Sequence, residues 1–194
     1  MAGCVIKSVH SHTPILPFPA HRTKRLVVSM LQLKPDPATI LCLCSGNYCR
    51  SPMAEGLLRY HLTQRGYDGA FLVTSAGTTT HYEGQPPDPR VLQVVRERGA
   101  SDFIHTPHCI TPGEVARADL ILAMAAEHRD WIAQHYPEAL QRTLLLSEAI
   151  GQLFDIPDPG IERMVTMQEI ADLIERCVRD GIDTITARAQ ARQR

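Results

Sequence analysis

Short all-apolar runs alternate with stretches of helical spacing along most of this chain. ATILCLC, residues 38–44, is an apolar run cut off by Ser45-Gly46, the pattern of a strand buried on both faces. In MAEGLLRYHLTQRG, past Pro52, residues Met53, Leu57, Leu58 and the His61-Leu62 pair recur at helical spacing, with proline in the first turn and Gly66 as a stop. AFLVTSAG (70–77) predicts a second strand, and DPRVLQVVRERG (88–99) a helix entered through Asp88-Pro89 and closed by Gly99. DLILAM (119–124) predicts a third strand, AAEHRDWIAQHYP (125–137) a helix that cannot pass Pro137, RTLLLSEAI (142–150) a fourth strand, and MQEIADLIERCVRDGIDTITARA (167–189) a closing helix. This alternation predicts an α/β fold: a single three-layer domain with a four-stranded parallel sheet and helices on both faces. Such sheets bind ligands beyond the carboxyl ends of their strands, and Cys44 stands at the end of the first one.

Residues 1–35 break the pattern. They carry Lys7, Arg22, Lys24, Arg25 and Lys34, no acid, and prolines at 14, 17, 19 and 35. That composition predicts a segment outside the packed core, largely disordered or translated from a misassigned start with Met30 as the initiator. A basic, acid-free leader also has the look of a transit peptide, although serine is scarce and proline interrupts any amphipathic helix. The domain proper is expected over 38–194.

Composition narrows the classes. With 44% hydrophobic and 21% charged residues, a net charge of -1 and a pI near 6.7, the chain reads as a globular protein with no general pull towards nucleic acid or anionic membrane. No apolar run reaches membrane-spanning length. Six cysteines in a chain able to bury its own core are expected to be reduced thiols, which points to a cytoplasmic setting.

The chemistry concentrates in CLCSGNYCRSP, residues 42–52. A loop leaving a buried strand and entering a helix through Ser51-Pro52 lets the amides of Ser45, Gly46, Asn47, Tyr48, Cys49 and Arg50 curl around one point, reinforced by the helix dipole. Small Ser45 and Gly46 let the backbone close in, and Asn47 tolerates left-handed conformations. Arg50 supplies a planar fork for two oxygens of a phosphate. A Cys44 thiol in that field is expected to ionise readily and act as a nucleophile. The loop reads as a device that binds an oxyanion and attacks it.

These residues resemble the signature of the low-molecular-weight protein tyrosine phosphatases: a cysteine, a short loop with Gly-Asn, then Cys-Arg-Ser-Pro. The resemblance continues through TSAGT at 74–78, DPR at 88–90, DLILAM at 119–124 with Glu127-His128-Arg129 after it, and DIPDP at 155–159. It implies a phosphomonoester hydrolase acting on phosphorylated protein, most simply phosphotyrosine, with Cys44 forming a phosphocysteine and Arg50 and the loop amides stabilising the equatorial oxygens. By the same analogy Asp158 is the general acid and then base, with Asp155 its competitor, and Pro157 and Pro159 stiffen the segment. Ser51 would hydrogen-bond to the Cys44 thiolate and Asn47 would brace the loop. No metal or cofactor is implied.

The departures concern the pocket wall. The family usually has an aromatic ring after the acid's Asp-Pro and another in the loop after SAGT. Here Gly160 follows Pro159, His81 falls in the second place with Tyr82 adjacent, and Tyr48 stands where a smaller aliphatic residue is common. Phosphoarginine and other phosphorylated residues therefore stay open as substrates. Two other readings remain: thiol-coupled arsenate reduction on the same fold, for which Cys109 lies in a mobile-looking segment without a convincing partner, and a non-catalytic phosphate-binding module. Cys49, close to Cys44 in the loop, is a candidate for a protective disulfide. Elsewhere, Cys42, Met124, Trp131, the 144–146 leucines and Cys177 read as core. His105, His108 and Cys109 read as a surface loop, and His128 and Arg129 as a solvent-facing helix start.

Overall fold

A computed structural model describes residues 36–159 and 166–193. The expectations placed on the basic leader and on Gly160 lie outside the described residues.

Four parallel strands, β1 (Ala38–Cys44), β2 (Phe71–Gly77), β3 (Leu120–Ala123) and β4 (Thr143–Leu145), pair in the order β2-β1-β3-β4. The chain leaves β1 to one side to build β2, then returns past β1 to build β3. That reversal makes the carboxyl end of β1 a crevice between two diverging connections, the usual ligand position in open α/β sheets. The residue at that end is Cys44.

The helices follow local signals. In α1 (Arg50–Gln64), Pro52 occupies the first turn, and Gly66 takes φ +75° just beyond the end, where a side chain would be strained. In α2 (Pro89–Glu97), the Asp88 side chain accepts the Arg90 amide at 2.9 Å and Pro89 opens the helix. α4 runs Ala126–His135. α5 (Met167–Ala191) starts on a reciprocal cap between Thr166 and Glu169. The hydrophobic rhythm did not reveal α3 (Pro112–Arg117), a six-residue helix too short to show a period, although its Thr111-x-x-Glu114 capping box is written in the sequence. Two 3₁₀ turns, Pro137–Arg142 and Leu146–Ile150, flank β4.

The pleat sends alternate residues of β1 and β3 to opposite faces. Ile40, Cys42, Leu120 and Leu122 pack with Met53 and Leu57 of α1 and with Ile174 and Val178 of α5; Leu41, Leu43 and Ile121 pack with Val115 of α3 and Ile132 of α4. This is the three-layer sandwich expected from the sequence. Cys42, Met124, Leu145, Leu146 and Cys177 are buried as expected, while Trp131 and Leu144 are half-buried at the margins, with Trp131 stacked on His135 at 4.2 Å between ring centroids. Among the described residues no helix is long and apolar enough to cross a membrane.

Candidate active site

The turn after β1 closes because each of its residues is held. Asn47 takes φ +51°, in the left-handed region that asparagine tolerates. Its amide nitrogen donates to Ser51 Oγ at 3.0 Å and to Ser75 Oγ at 2.9 Å, while its Oδ1 accepts the His108 amide at 3.0 Å. Ser75 Oγ donates to Glu55 Oε2 at 2.6 Å, and Glu55 also pairs with Arg59. Burial raises the Glu55 pKa, with Arg59 and Ser75 acting in the opposite direction. Since Asn47 can only donate through that nitrogen, Ser51 keeps its own proton, which it can direct to Cys44 Sγ at 3.0 Å.

The edge of the sheet clamps the same turn from outside. The amides of Thr78 and Thr79 donate to the carbonyls of Cys44 and Ser45, each at 2.9 Å. Gly77 is required there: a Cβ on it would stand 2.8 Å from the Ser45 carbonyl oxygen and 3.0 Å from the Asn47 nitrogen. The TSAGT motif is therefore a bracket, with Ser75 holding Asn47 and Gly77 admitting the loop backbone.

Arg50 is buried, and its guanidinium makes three contacts. Nη1 donates to the Ile156 carbonyl at 3.2 Å, Nη2 donates to Ser45 Oγ at 3.1 Å, and Nη2 also pairs with the Asp158 carboxylate. The segment carrying Asp158 is secured on its approach to that residue. Ser147 Oγ donates to the Phe154 carbonyl and accepts its amide, the Ile156 amide donates to the Met124 carbonyl at 2.8 Å, and Asp155 Oδ1 accepts the Ala126 amide at 2.8 Å.

Cys44, Ser45, Gly46, Tyr48, Cys49, Arg50 and Asp158 line one cleft of about 420 Å³, together with Thr79, His81, Tyr82, Arg90 and Pro159. Asn47 and Ser51 stand behind it, fully buried. The outer wall is more aromatic than the sequence suggests. Tyr82 stacks on Tyr48 at 4.2 Å and 12° between planes, His81 meets Tyr82 edge-on at 4.5 Å, and the Tyr82 ring lies so close over Gly46 that a Cβ there would be 2.6 Å away. Arg90 grips Asp88 through two bonds, 3.1 and 2.6 Å, and Asp88 Oδ2 accepts the Cys49 thiol at 3.7 Å. Burial, with Asp88 beside it, pushes the Cys49 thiol up to about 12. A second cleft of about 390 Å³, at the amino end of β3, holds Arg142 and Arg192, but both guanidiniums are bonded to carbonyls of α3 and its continuation.

Three expectations need correction. His128 is not a solvent-facing helix residue: it is 1% exposed, and its Nε2 lies 2.9 Å from Ser45 Oγ. α4 begins against the loop, so its first turn faces inward; Arg129 alone of the pair reaches outward, to Glu148. His105 is not a surface-loop residue either, since its side chain is buried and bonds the Asn47 carbonyl at 2.9 Å; burial lowers its pKa. Nor is Cys109 in a mobile stretch: the Gly77 amide bonds the His108 carbonyl and the Ile110 amide the Gly77 carbonyl, so the segment is sewn to the end of β2. Glu55 and Ser75 were missed altogether. An acid one helical turn after Ser51, on the side of α1 that carries Leu58, was the available signal.

A sequence model described as "Low molecular weight phosphotyrosine protein phosphatase" matches residues 39–191. The probable low molecular weight protein-tyrosine-phosphatase EpsP of Ralstonia nicotianae is 34% identical over 153 residues, covering 79% of this chain and 97% of that protein. Among solved structures, YfkJ from Bacillus subtilis superposes with a TM-score of 0.71 at 25% identity, over 78% of this chain and 96% of its own. The YwlE arginine phosphatase from Geobacillus stearothermophilus superposes with 0.65 at 29% identity, over 81% and 96%. With the family's sequence pattern running across both the cysteine loop and the Asp158 segment, this chain belongs to the low molecular weight phosphotyrosine protein phosphatase family and is a cysteine-dependent phosphatase.

Proposed function

We propose that residues 38–194 form a protein-tyrosine phosphatase domain that works through a phosphocysteine on Cys44. The Cys44 sulfur attacks phosphorus as a thiolate and the bond from phosphorus to the tyrosine oxygen breaks. Asp158 gives its proton to the departing phenolate. The Asp158 carboxylate then takes a proton from water as that water attacks phosphorus, and inorganic phosphate leaves with the Cys44 thiolate restored. Arg50 and the amides from Ser45 to Arg50 stabilise the equatorial oxygens, Ser51 steadies the thiolate, and Asn47 keeps the loop closed.

The observation that carries this reading is the meeting of Cys44, Arg50 and Asp158 in one cleft, with Arg50 as the common neighbour of loop and acid. The stacked Tyr48–Tyr82 pair favours an aryl phosphate, because a flat ring gains from offset or edge contact with another ring. The likeness to an arginine phosphatase supports phosphoarginine as the second substrate reading.

Steady-state hydrolysis of a phosphotyrosine peptide and of phosphoarginine, by wild type and Cys44→Ser in reductant without added metal, tests both. Turnover of the first substrate that vanishes in Cys44→Ser is the expected result. Preference for phosphoarginine would transfer the assignment to the second reading, and hydrolysis of neither by folded protein would leave arsenate reduction or simple binding.

A further inference from the structure

The Ser45 hydroxyl has three polar neighbours, and their chemistry decides who donates. Arg50 Nη2, at 3.1 Å, can only donate. Glu127 Oε1, at 3.3 Å, accepts the single hydroxyl proton. One lone pair remains on Ser45 Oγ, and His128 Nε2, at 2.9 Å, fills it by donating; Glu127 Oε1, an acceptor 3.2 Å from the same nitrogen, also requires the proton there. His128 is then the neutral Nε2–H tautomer, and its Nδ1 carries a bare lone pair. This agrees with a separate fact: among the described residues, His128 Nδ1 is the buried side-chain nitrogen or oxygen atom left without a hydrogen-bond partner. An orphaned acceptor is tolerable there, whereas the charged ring would bury an unpaired N–H beside Arg50. Burial and the Arg50 charge hold the His128 pKa down to about 3, in keeping with a ring that stays neutral.

The consequence concerns Arg50. In the resting site its Nη2 is shared between Ser45 and Asp158. On the proposed mechanism Asp158 must release Arg50 in order to protonate a leaving group, so at that moment the guanidinium loses one of its holds. Two remain: the Ile156 carbonyl on Nη1 and the Ser45 hydroxyl on Nη2.

We propose that His128 is a positioning residue that aims Arg50 at the phosphoryl group by locking Ser45 Oγ as an acceptor, an arrangement created by the buried contact of the first turn of α4 with the second residue of the loop. The inference rests on the phosphatase reading above. Without His128 the Ser45 hydroxyl can rotate, its lone pairs are no longer directed, and the guanidinium plane loosens when Asp158 departs. Misplacement of a transition-state donor lowers turnover more than it lowers affinity for the ground state.

The test compares wild type with Ser45→Ala, His128→Gln, His128→Phe and the double variant Ser45→Ala/His128→Phe. It uses p-nitrophenyl phosphate turnover, and calorimetric titration with vanadate and with inorganic phosphate. Ser45→Ala and His128→Phe should each lower kcat between about 10- and 100-fold with little change in KM, and the double variant should be no worse than the poorer single one. Gln, which keeps a donor at the corresponding reach, should restore most of the rate. Vanadate, which copies the five-coordinate transition state, should bind more weakly by the same factor while phosphate affinity stays nearly constant. Additive losses, a Ser45→Ala enzyme at wild-type kcat, or equal weakening of vanadate and phosphate would overturn the proposal. If His128→Phe does not fold, Ser45→Ala and His128→Gln decide alone. If wild type itself hydrolyses nothing, the phosphatase reading has failed, and the vanadate and phosphate titrations still judge whether His128 aims Arg50.

Discussion

Asp155 and Asp158 stand three residues apart in one proline-braced segment and face different partners: Asp155 caps the first turn of α4 through the Ala126 amide, while Asp158 reaches the Arg50 guanidinium in the cleft. One carboxylate fixes where the segment runs; the other is carried to the reacting end of the site.

The two should therefore separate on substitution. Asp155→Ala removes a helix cap worth about 1 kcal/mol and should lower the melting temperature by a few degrees with a modest rate effect. Asp158→Ala should lower kcat by about 10²- to 10⁴-fold at nearly unchanged melting temperature. Paired calorimetry and kinetics check this, and a larger kcat loss in Asp155→Ala would reverse the assignment of the acid.

Gly77 has no room for a methyl group, since the nearest atoms belong to the loop backbone. Gly77→Ala must push Ser45 and Asn47 away from the position that closes the turn. The expected cost is roughly 1–3 kcal/mol of stability, the scale of overpacking, together with loss of most turnover. A denaturant titration alongside the rate measurement reads both, and a fully active Gly77→Ala protein would show that the close approach is not needed.

The neutral, buried His128 makes stability depend on pH in a defined direction. Its pKa is about 3 in the folded chain against an ordinary value of 6.5, so between those values the unfolded chain binds more protons. The contribution is whole above about pH 6.5 and is lost as pH falls through that value towards 3. It amounts to roughly 1 kcal/mol between pH 7 and pH 5.5. His128→Gln carries no such titration, so its unfolding free energy should fall less than that of wild type over the same interval; parallel slopes would count against a neutral His128.

Cys49 shares the cleft with Cys44 and is held as a thiol beside Asp88. Peroxide should oxidise Cys44 to the sulfenic acid, giving up water. Attack by Cys49 sulfur then forms a Cys44–Cys49 disulfide, expels a second water and leaves activity that dithiothreitol restores. In Cys49→Ser the sulfenic acid has no resolving thiol, and longer exposure should make the loss permanent. Recovery equal to wild type in that variant would place the protection elsewhere.

The sheet, its strand positions and the cysteine loop were legible because each is a local pattern: an apolar run of strand length, a Gly-Asn turn, a Ser-Pro helix start. The place of Asp158 in the cleft was readable by analogy alone, since DIPDP by itself reads as a surface turn, and its partner Arg50 lies 108 residues away in the chain. His105 and His128 were read outward for a different reason. A histidine on a short helix or loop carries no periodic signal, and its burial is settled by which loop the fold lays across it: Asn47 for one, Ser45 for the other. The aromatic wall was underestimated because Tyr48 and Tyr82 are 34 residues apart in sequence and meet only when β2 pairs with β1.

Among the described residues β2 lies at the margin of the sheet, with β1 as its one neighbouring strand, yet it supplies Ser75 and Gly77, and Thr78 follows directly. The reaction centre is thus buttressed by an edge strand, laddered to β1 from Phe71 to Gly77 along one side. Fraying of that margin would dismantle the anion nest while the packing of α1, α5 and the central strands persists. Catalysis should consequently be extinguished at lower denaturant than bulk helicity, making turnover a sensor of one strand's docking.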